Sequence, residues 1–303
     1  MYDSVGLWMD SYKIGGGYID KIPALLSNTK ETIKQNGSWW ISGNLENLQV
    51  YVGEAGVSIK GSPNKYWHGY NFAKLTRQEF QHSIEKISDV FSIDVKMAKA
   101  SSLDIAHNFV MNEPVKSYYV FLGECSRYLR NQDRNSLYYK NNQRVKIFYD
   151  KPLEGKSKGE QLPEAWKDKN VLRFEVRFKN RLLKQFNRQS LTAEDLYDEV
   201  FYIEVIDRWF LEYLNIKKNK VMNPNIESLT SKQAKDFLLS ALVDEIGQNK
   251  VVEMVGNWKG KFTTNKEAQR FKNSLQRLPG LTLESDLINE LDDKVSLVKR
   301  HYR

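Results

Sequence analysis

The chain has one cysteine, Cys125, in 303 residues. An intramolecular disulfide and a cysteine-rich zinc site are thereby excluded, which fits a reducing compartment. Cys125 itself reads as a small buried residue in an apolar segment. No run approaches the roughly 18 consecutive apolar residues of a membrane span. The opening Met1-Tyr2-Asp3-Ser4 lacks the basic-then-apolar order of a secretion signal, so a cytoplasmic location is expected. The phosphate-binding loop that ends in Gly-Lys-Ser/Thr is also missing, as are the HExxH and CxxC pairs. Gly15-Gly16-Gly17 lacks the GxGxxG spacing and reads as a flexible turn, so no nucleotide cofactor is expected.

What the chain has in quantity is cations and aromatic rings. Lys and Arg number 46 against 38 Asp and Glu, a net charge of +8, and this favours a polyanionic partner. Aromatic residues make up 12%, with 16 Tyr and 7 Trp. Rings that stack on bases and cations that pair with phosphates are the two needs of single-strand binding. With 41% hydrophobic and 28% charged residues, the chain can build one large core or two modest ones.

Short segments with strand character fill the first part: Ser38 to Ser42, Leu48 to Val52, and Gly56 to Gly61, each bounded by Gly, Asn or Glu. Thr76 followed by Glu79 forms a helix-start pattern, and Phe80, Ile84, Ile87 and Phe91 repeat at helical spacing, which predicts an amphipathic helix over 76–92. Ser101 to Phe109 alternates as a strand, and Pro114 is expected to open a helix reaching about Leu129. Ser136 to Lys140 and Arg144 to Asp150 flank the turn Asn141-Asn142-Gln143 as a hairpin, with Pro152 ending the second strand. Residues 155–170 have loop composition, and Val171 to Lys179 is the cleanest alternation in the chain. Helical signals dominate from Thr192 to Leu214, Ser231 to Ile246 and Asn265 to Leu278. The expected fold class is α+β: an antiparallel sheet core with flanking helices over 1–190, then a mostly helical C-terminal region over 191–303 that is a candidate for DNA or partner contact.

Four patterns bear on chemistry. Arg173, Glu175, Arg177 and Lys179 share the face of a strand opposite Leu172, Phe174, Val176 and Phe178. That face is either a solvated salt-bridge row or a rigid mount on which Glu175 holds a divalent metal. Asp104, between Leu103 and Ile105, is either on an exposed strand face or the second carboxylate of an oxygen site suited to Mg2+ or Mn2+. Tyr149 has the parity of Val145 and Ile147, which reads as core, while neighbouring Lys151 offers a cation that could lower a phenol pKa or steady charge at phosphorus. Around His68, the run Tyr66-Trp67-His68-Gly69-Tyr70-Asn71 is either a single-strand contact surface or an aromatic turn packed on the sheet.

The runs Ser58 to Lys65 with His68 to Asn71, Ser102 to Ile105, Arg144 to Lys151 with Glu154, and Leu172 to Lys179 leading to Leu183-Lys184 occur in an order that resembles the gene II replication initiators of filamentous phage. More distantly it resembles the initiation factors of small rolling-circle plasmids. The resemblance covers roughly residues 40–210. It implies that Tyr149 attacks the origin strand and becomes linked to its 5′ phosphate, with Lys151 in support and the free 3′ hydroxyl serving as primer. It selects Asp104 and Glu175 as metal carboxylates. The histidine pair of the wider relaxase class is absent from this sequence, which leaves Glu154 and His68 to complete a Mg2+ or Mn2+ set. DNA contacts are expected at Lys60, Lys65, Asn71, Arg173 and Arg177. Implied partners are origin DNA, single-stranded or melted, and a host helicase and polymerase in the bacterial cytoplasm. The rival readings are a non-catalytic single-strand binder, a hydrolytic metal nuclease, and a coat-associated protein with incidental charge.

Overall fold

The computed structural model describes residues 1–72, 74–222, 230–276, 282–283 and 285–302. Period-two alternation dominates the first half and yields eleven strands: β1 (Tyr2–Asp10), β2 (Ser27–Ile33), β3 (Trp39–Leu45), β4 (Leu48–Gly53), β5 (Gly56–Gly61), β6 (Lys99–Met111), β7 (Leu122–Cys125), β8 (Leu129–Gln132), β9 (Ser136–Lys140), β10 (Arg144–Asp150) and β11 (Asn170–Phe178). All except β7 join one sheet in the order β2-β3-β4-β5-β1-β6-β11-β10-β9-β8, and every pairing is antiparallel. The first strand of the chain therefore sits near the middle, with a run of hairpins on each side. β1 is not among the strands expected from the sequence. Between Tyr2 and Ser4 its register slips by one residue against β6, a bulge at Asp3.

The helices of this part are α1 (Tyr18–Ala24), α2 (Pro63–His68), α3 (Arg77–Phe91), α4 (Lys151–Ser157), α5 (Leu182–Gln185) and α6 (Glu199–Leu214). One sheet face is closed by apolar helix faces. Phe80 of α3 meets Tyr2 at 4.7 Å between ring centroids, and Trp209 and Tyr213 of α6 meet Phe174 at 5.2 and 5.7 Å. The reciprocal capping box of Thr76 and Glu79 starts α3 as its sequence predicts. Beneath the sheet, Glu212 of α6 receives a hydrogen bond from Tyr128 at 2.8 Å and pairs with fully buried Lys146 at 2.9 Å and with Arg144.

Several expectations need correcting. The helix predicted from Pro114 to Leu129 is a 3-10 turn over Val115–Phe121 followed by β7 and β8. Buried Val115, Tyr118, Tyr119, Leu122 and Cys125 recur at spacings of three and four, which a 3-10 turn running into a strand satisfies as well as an α-helix does. Pro152 follows the start of α4, which Asp150 caps through Leu153 N–H, so the strand ends by turning directly into a helix. The helix expected from Thr192 begins at Glu199, capped by Asp198.

The chain divides into two compact units, but not at residue 190. The first comprises 1–119, 124–217 and 292–303; the second comprises 120–123 and 218–291. α6 thus belongs with the sheet. In the second unit, α7 (Ser231–Ile246), α8 (Gln248–Asn257) and α9 (Asn265–Gln276) surround a small core of Val243, Val251, Val255 and Leu275. α10 (Asp286–His301) starts in that unit and ends in the first. Among the described residues no helix is long and apolar enough to cross a membrane.

Candidate active site

Direct cross-strand neighbours point to the same side of a sheet, so register alone assembles the site. β10 and β11 set Tyr149 opposite Arg173 and Ile147 opposite Glu175. β11 and β6 set Arg177 opposite Asp104 and Arg173 opposite Asn108. Phe148 and Phe174 occupy the other side, stacked at 4.4 Å. Tyr149 is therefore not a core ring. It stands half-buried on the wall of a cavity of about 650 Å³, with the β8–β9 connection around Asp133 and the residues of α4 as further walls.

The row Arg173, Glu175 and Arg177, which alternation alone left as a possible solvated face, is largely inside. Arg173 is 4% and Glu175 1% exposed. Buried charges persist only when paired and hydrogen-bonded, and these are. The Tyr149 hydroxyl donates to Glu175 Oε2 at 3.1 Å, and Arg177 Nε donates to Glu175 Oε1 at 2.5 Å. Arg173 Nη2 lies 2.5 Å from Asp3 Oδ1, its Nη1 donates to Asn108 Oδ1 at 3.1 Å, and its Nε is 3.6 Å from Glu175. Arg177 also lies 3.8 Å from Asp104 Oδ2.

These neighbours set the protonation states. Burial pushes the Tyr149 phenol well above its ordinary range; Arg173 pulls it down and Glu175 pushes it up, leaving it raised. The resting group is a neutral phenol with a carboxylate as hydrogen-bond acceptor. Asp104 is raised to about 7, by burial first and then by the charge of Glu175, with Arg177 opposing. Two carboxylates so close disfavour simultaneous ionisation unless a cation joins them.

Of the other residues the sequence singled out, Lys151 lines the cavity but is buried and committed to Glu154 at 2.6 Å and Glu160 at 3.4 Å. Glu154 is held by Lys151 and Lys158, away from Asp104 in the bonding network. His68 closes α2, rather than lying in a loop, with its Nε2 3.6 Å from Glu79. Lys60 lines a second cavity that shares Asp3, Asn71, Glu175 and Arg177 with the first and adds Asp104. Asn71 accepts a hydrogen bond from Ser62 at 2.7 Å, and Lys65 pairs with Glu160 at 3.2 Å. Arg173, expected as a DNA contact, spends its charge on Asp3, Glu175 and Asn108 inside the protein. Sequence reasoning missed Asp3 and Asn108. Asn108 lies on the same alternating strand as Asp104 at an even separation, a signal that was available; Asp3 depends on a bulge with no sequence mark.

Among the described residues, no three His, Cys, Asp or Glu side chains gather into a ready cage. Mg2+ is often held by one or two carboxylates, with water and substrate phosphate completing the shell. Asp104 and Glu175 fit that requirement, since both are hard oxygen donors at the same guanidinium.

No curated protein matches the chain. Residues 1–212 match the family model Phage_CRI, which describes the N-terminal part of a phage replication-associated protein. The matched span runs from β1 into the last turn of α6 and contains all ten strands of the sheet, Tyr149, and its hydrogen-bond partner Glu175. By this match over most of its length, the chain belongs to the Phage_CRI family of replication-associated proteins.

Proposed function

We propose that this replication initiator nicks and rejoins origin DNA by transesterification through Tyr149. The observation that carries this reading is the Tyr149 hydroxyl, 3.1 Å from Glu175 on the wall of an open cavity flanked by Arg177. Tyr149 Oη attacks the scissile phosphorus, the P–O3′ bond breaks, and a 5′-phosphotyrosine and a 3′ hydroxyl result. The phenol proton passes to Glu175, which already accepts its hydrogen bond. Arg177, more than a third exposed, is available to the phosphate oxygens. Arg173, anchored by Asp3 and Asn108, fixes the strand position opposite Tyr149 and places positive charge beside the developing phenolate.

A divalent metal, Mg2+ or Mn2+, would be held by Asp104 and Glu175. When bound it would supply charge neutralisation at the phosphate. Lys151, Glu154 and Glu160 are read as the brace that fixes α4 and hence the cavity wall. Because the ester bond is conserved in the phosphotyrosine, a later 3′ hydroxyl can displace Tyr149 and close the circle, while the first 3′ end primes a host polymerase behind a host helicase.

Tyr149→Phe tests the reading. With single-stranded origin DNA and Mg2+ or Mn2+, the wild type is expected to leave protein on the 5′ end of denatured product. The variant should lose that adduct by at least about a thousandfold while binding DNA within about twofold, as removal of a nucleophile does. Undiminished nicking by the variant, or product with a free 5′ end, would overturn it.

A further inference from the structure

The sheet face that bears Tyr149 continues past the cavities across β6, β1, β5, β4 and β3, and its side chains there are not those of an idle surface. On the opposite side of this half-sheet, Leu7, Met9, Val50, Val52, Val57 and Ile59 are all buried. Alternation therefore turns Trp8, Tyr51 and Trp40 to the same side as Asp104, where each is half-buried. Cross-strand register gives the row Lys99, Trp8, Ser58, Tyr51, Ser42 and Lys30. Trp40 stands one row further on, between Gly53 and Thr32. The row on the other side contains Ser102, Gly6 and Lys60, and Ser102 and Lys60 line the cavity shared with Asp104, Glu175 and Arg177.

We propose that Trp8, Tyr51 and Trp40 form a base-stacking platform that holds the single strand leading away from the Tyr149 cavity. Three observations carry it. The neighbours of these rings across the strands are Ser, Gly, Thr and Lys, too small or too flexible to cover them. Among the described residues none of the three rings stacks on another aromatic, whereas Phe148, Phe174, Trp209 and Tyr213 of the core all do. The orientation of the two tryptophans is nevertheless held: Trp8 Nε1 donates to Asp10 Oδ1 at 2.8 Å, Lys99 clamps the same carboxylate at 2.6 Å, and Lys34 lies 4.8 Å over Trp40. Trp8 and Tyr51 lie two strands apart, about 10 Å at ordinary strand spacing, a span that an unstacked strand bridges with its backbone. Lys30 and Lys60, both exposed, flank the rings for phosphate contact. The ligand is thus a single-stranded polynucleotide gripped by base faces and phosphates, with little dependence on sequence.

This inference rests on the DNA-nicking reading for its direction along the sheet, but its test does not need cleavage. Binding of an oligothymidylate of about 16 nucleotides to the full chain is measured with chelator present, so that no reaction intervenes. Trp8→Ala, Tyr51→Ala and Trp40→Ala should each weaken binding by about 5- to 100-fold, while Trp8→Phe and Tyr51→Phe stay within about threefold. Iodouracil-containing oligonucleotide cross-linked to the wild-type protein should label peptides from β1, β3 and β4, which guards against variants that merely misfold. Wild-type affinity in the three alanine variants, or cross-links confined to the peptides of β10, β11 and α4, overturns the platform. Failure of Tyr149→Phe to abolish the adduct would instead strike the nicking reading and leave this binding result standing.

Discussion

At the scale of residues, the site is a balance between carboxylates and guanidiniums on one sheet face. Asp104, raised to about 7 from an ordinary value near 3.8, holds a proton in the folded protein that it loses in the unfolded chain. The stability tied to that proton is complete below about pH 4 and is lost as pH rises through about 7. Asp104→Asn removes the titration. In metal-free buffer its thermal midpoint should vary less than that of the wild type between about pH 4.5 and 8, and the variant should be the more stable of the two at about pH 8. The same substitution should depress nicking if Asp104 holds a metal. Much of this chemistry was legible from the sequence: alternation placed Arg173, Glu175 and Arg177 together, and Asp104 was an anomaly in an apolar strand. Burial was not legible, because the walls over that face come from α4 and the β8–β9 connection, which local patterning cannot position.

Among the elements, α6 and β10 are joined by a buried ion cluster rather than by apolar contact alone. Burial by itself would raise the Glu212 carboxyl, but Lys146, Tyr128 and Arg144 outweigh it and hold the group below its usual range. Its contribution is present above the ordinary carboxylate pKa and is lost as pH falls through the depressed one. Glu212→Ala would leave fully buried Lys146 without its counter-charge, at a cost of about 3–5 kcal/mol, to be read from urea unfolding near neutral pH. Glu212→Gln should flatten the acid side of the wild-type stability profile. At the start of α3, Thr76→Ala should cost about 1 kcal/mol in the same assay, since it removes the cap to Glu79 N–H. The cap was readable because it is local, a Thr with a Glu three residues on. The misread stretch after Pro114 shows the converse: its spacing suits both a helix and a 3-10 turn entering a strand, so local periodicity could not separate the two.

For the molecule as a whole, the family match ends at residue 212, yet residues 292–303 belong to the same compact unit as the sheet. Tyr302 meets Tyr202 at 5.9 Å and Lys74 lies 4.2 Å over its ring; Lys299 pairs with Asp207 at 3.4 Å, Tyr213 donates to Asp292, and Val295 and Val298 are buried. Deleting 292–303 should therefore destabilise the sheet unit by about 3–6 kcal/mol, the loss of two buried valines at about 1.5–3 kcal/mol each, measurable as a lower urea midpoint. A change of composition near residue 190 gave no hint of this, because composition follows the chain while a core is assembled across it. Patterns in the chain alone were enough for the strand-rich first half, the capped α3, the hairpin that carries Tyr149 and the excess of cations, all of which rest on neighbours within a few residues. Three-dimensional packing was needed to place β1 between β5 and β6, to bring Asp3 to Arg173, to turn Tyr149 toward a cavity instead of the core, and to return the chain's last turns to the sheet. Each of those depends on which strand lies beside which and on what covers a face, and such long-range pairing leaves no periodic trace in the residues that make it.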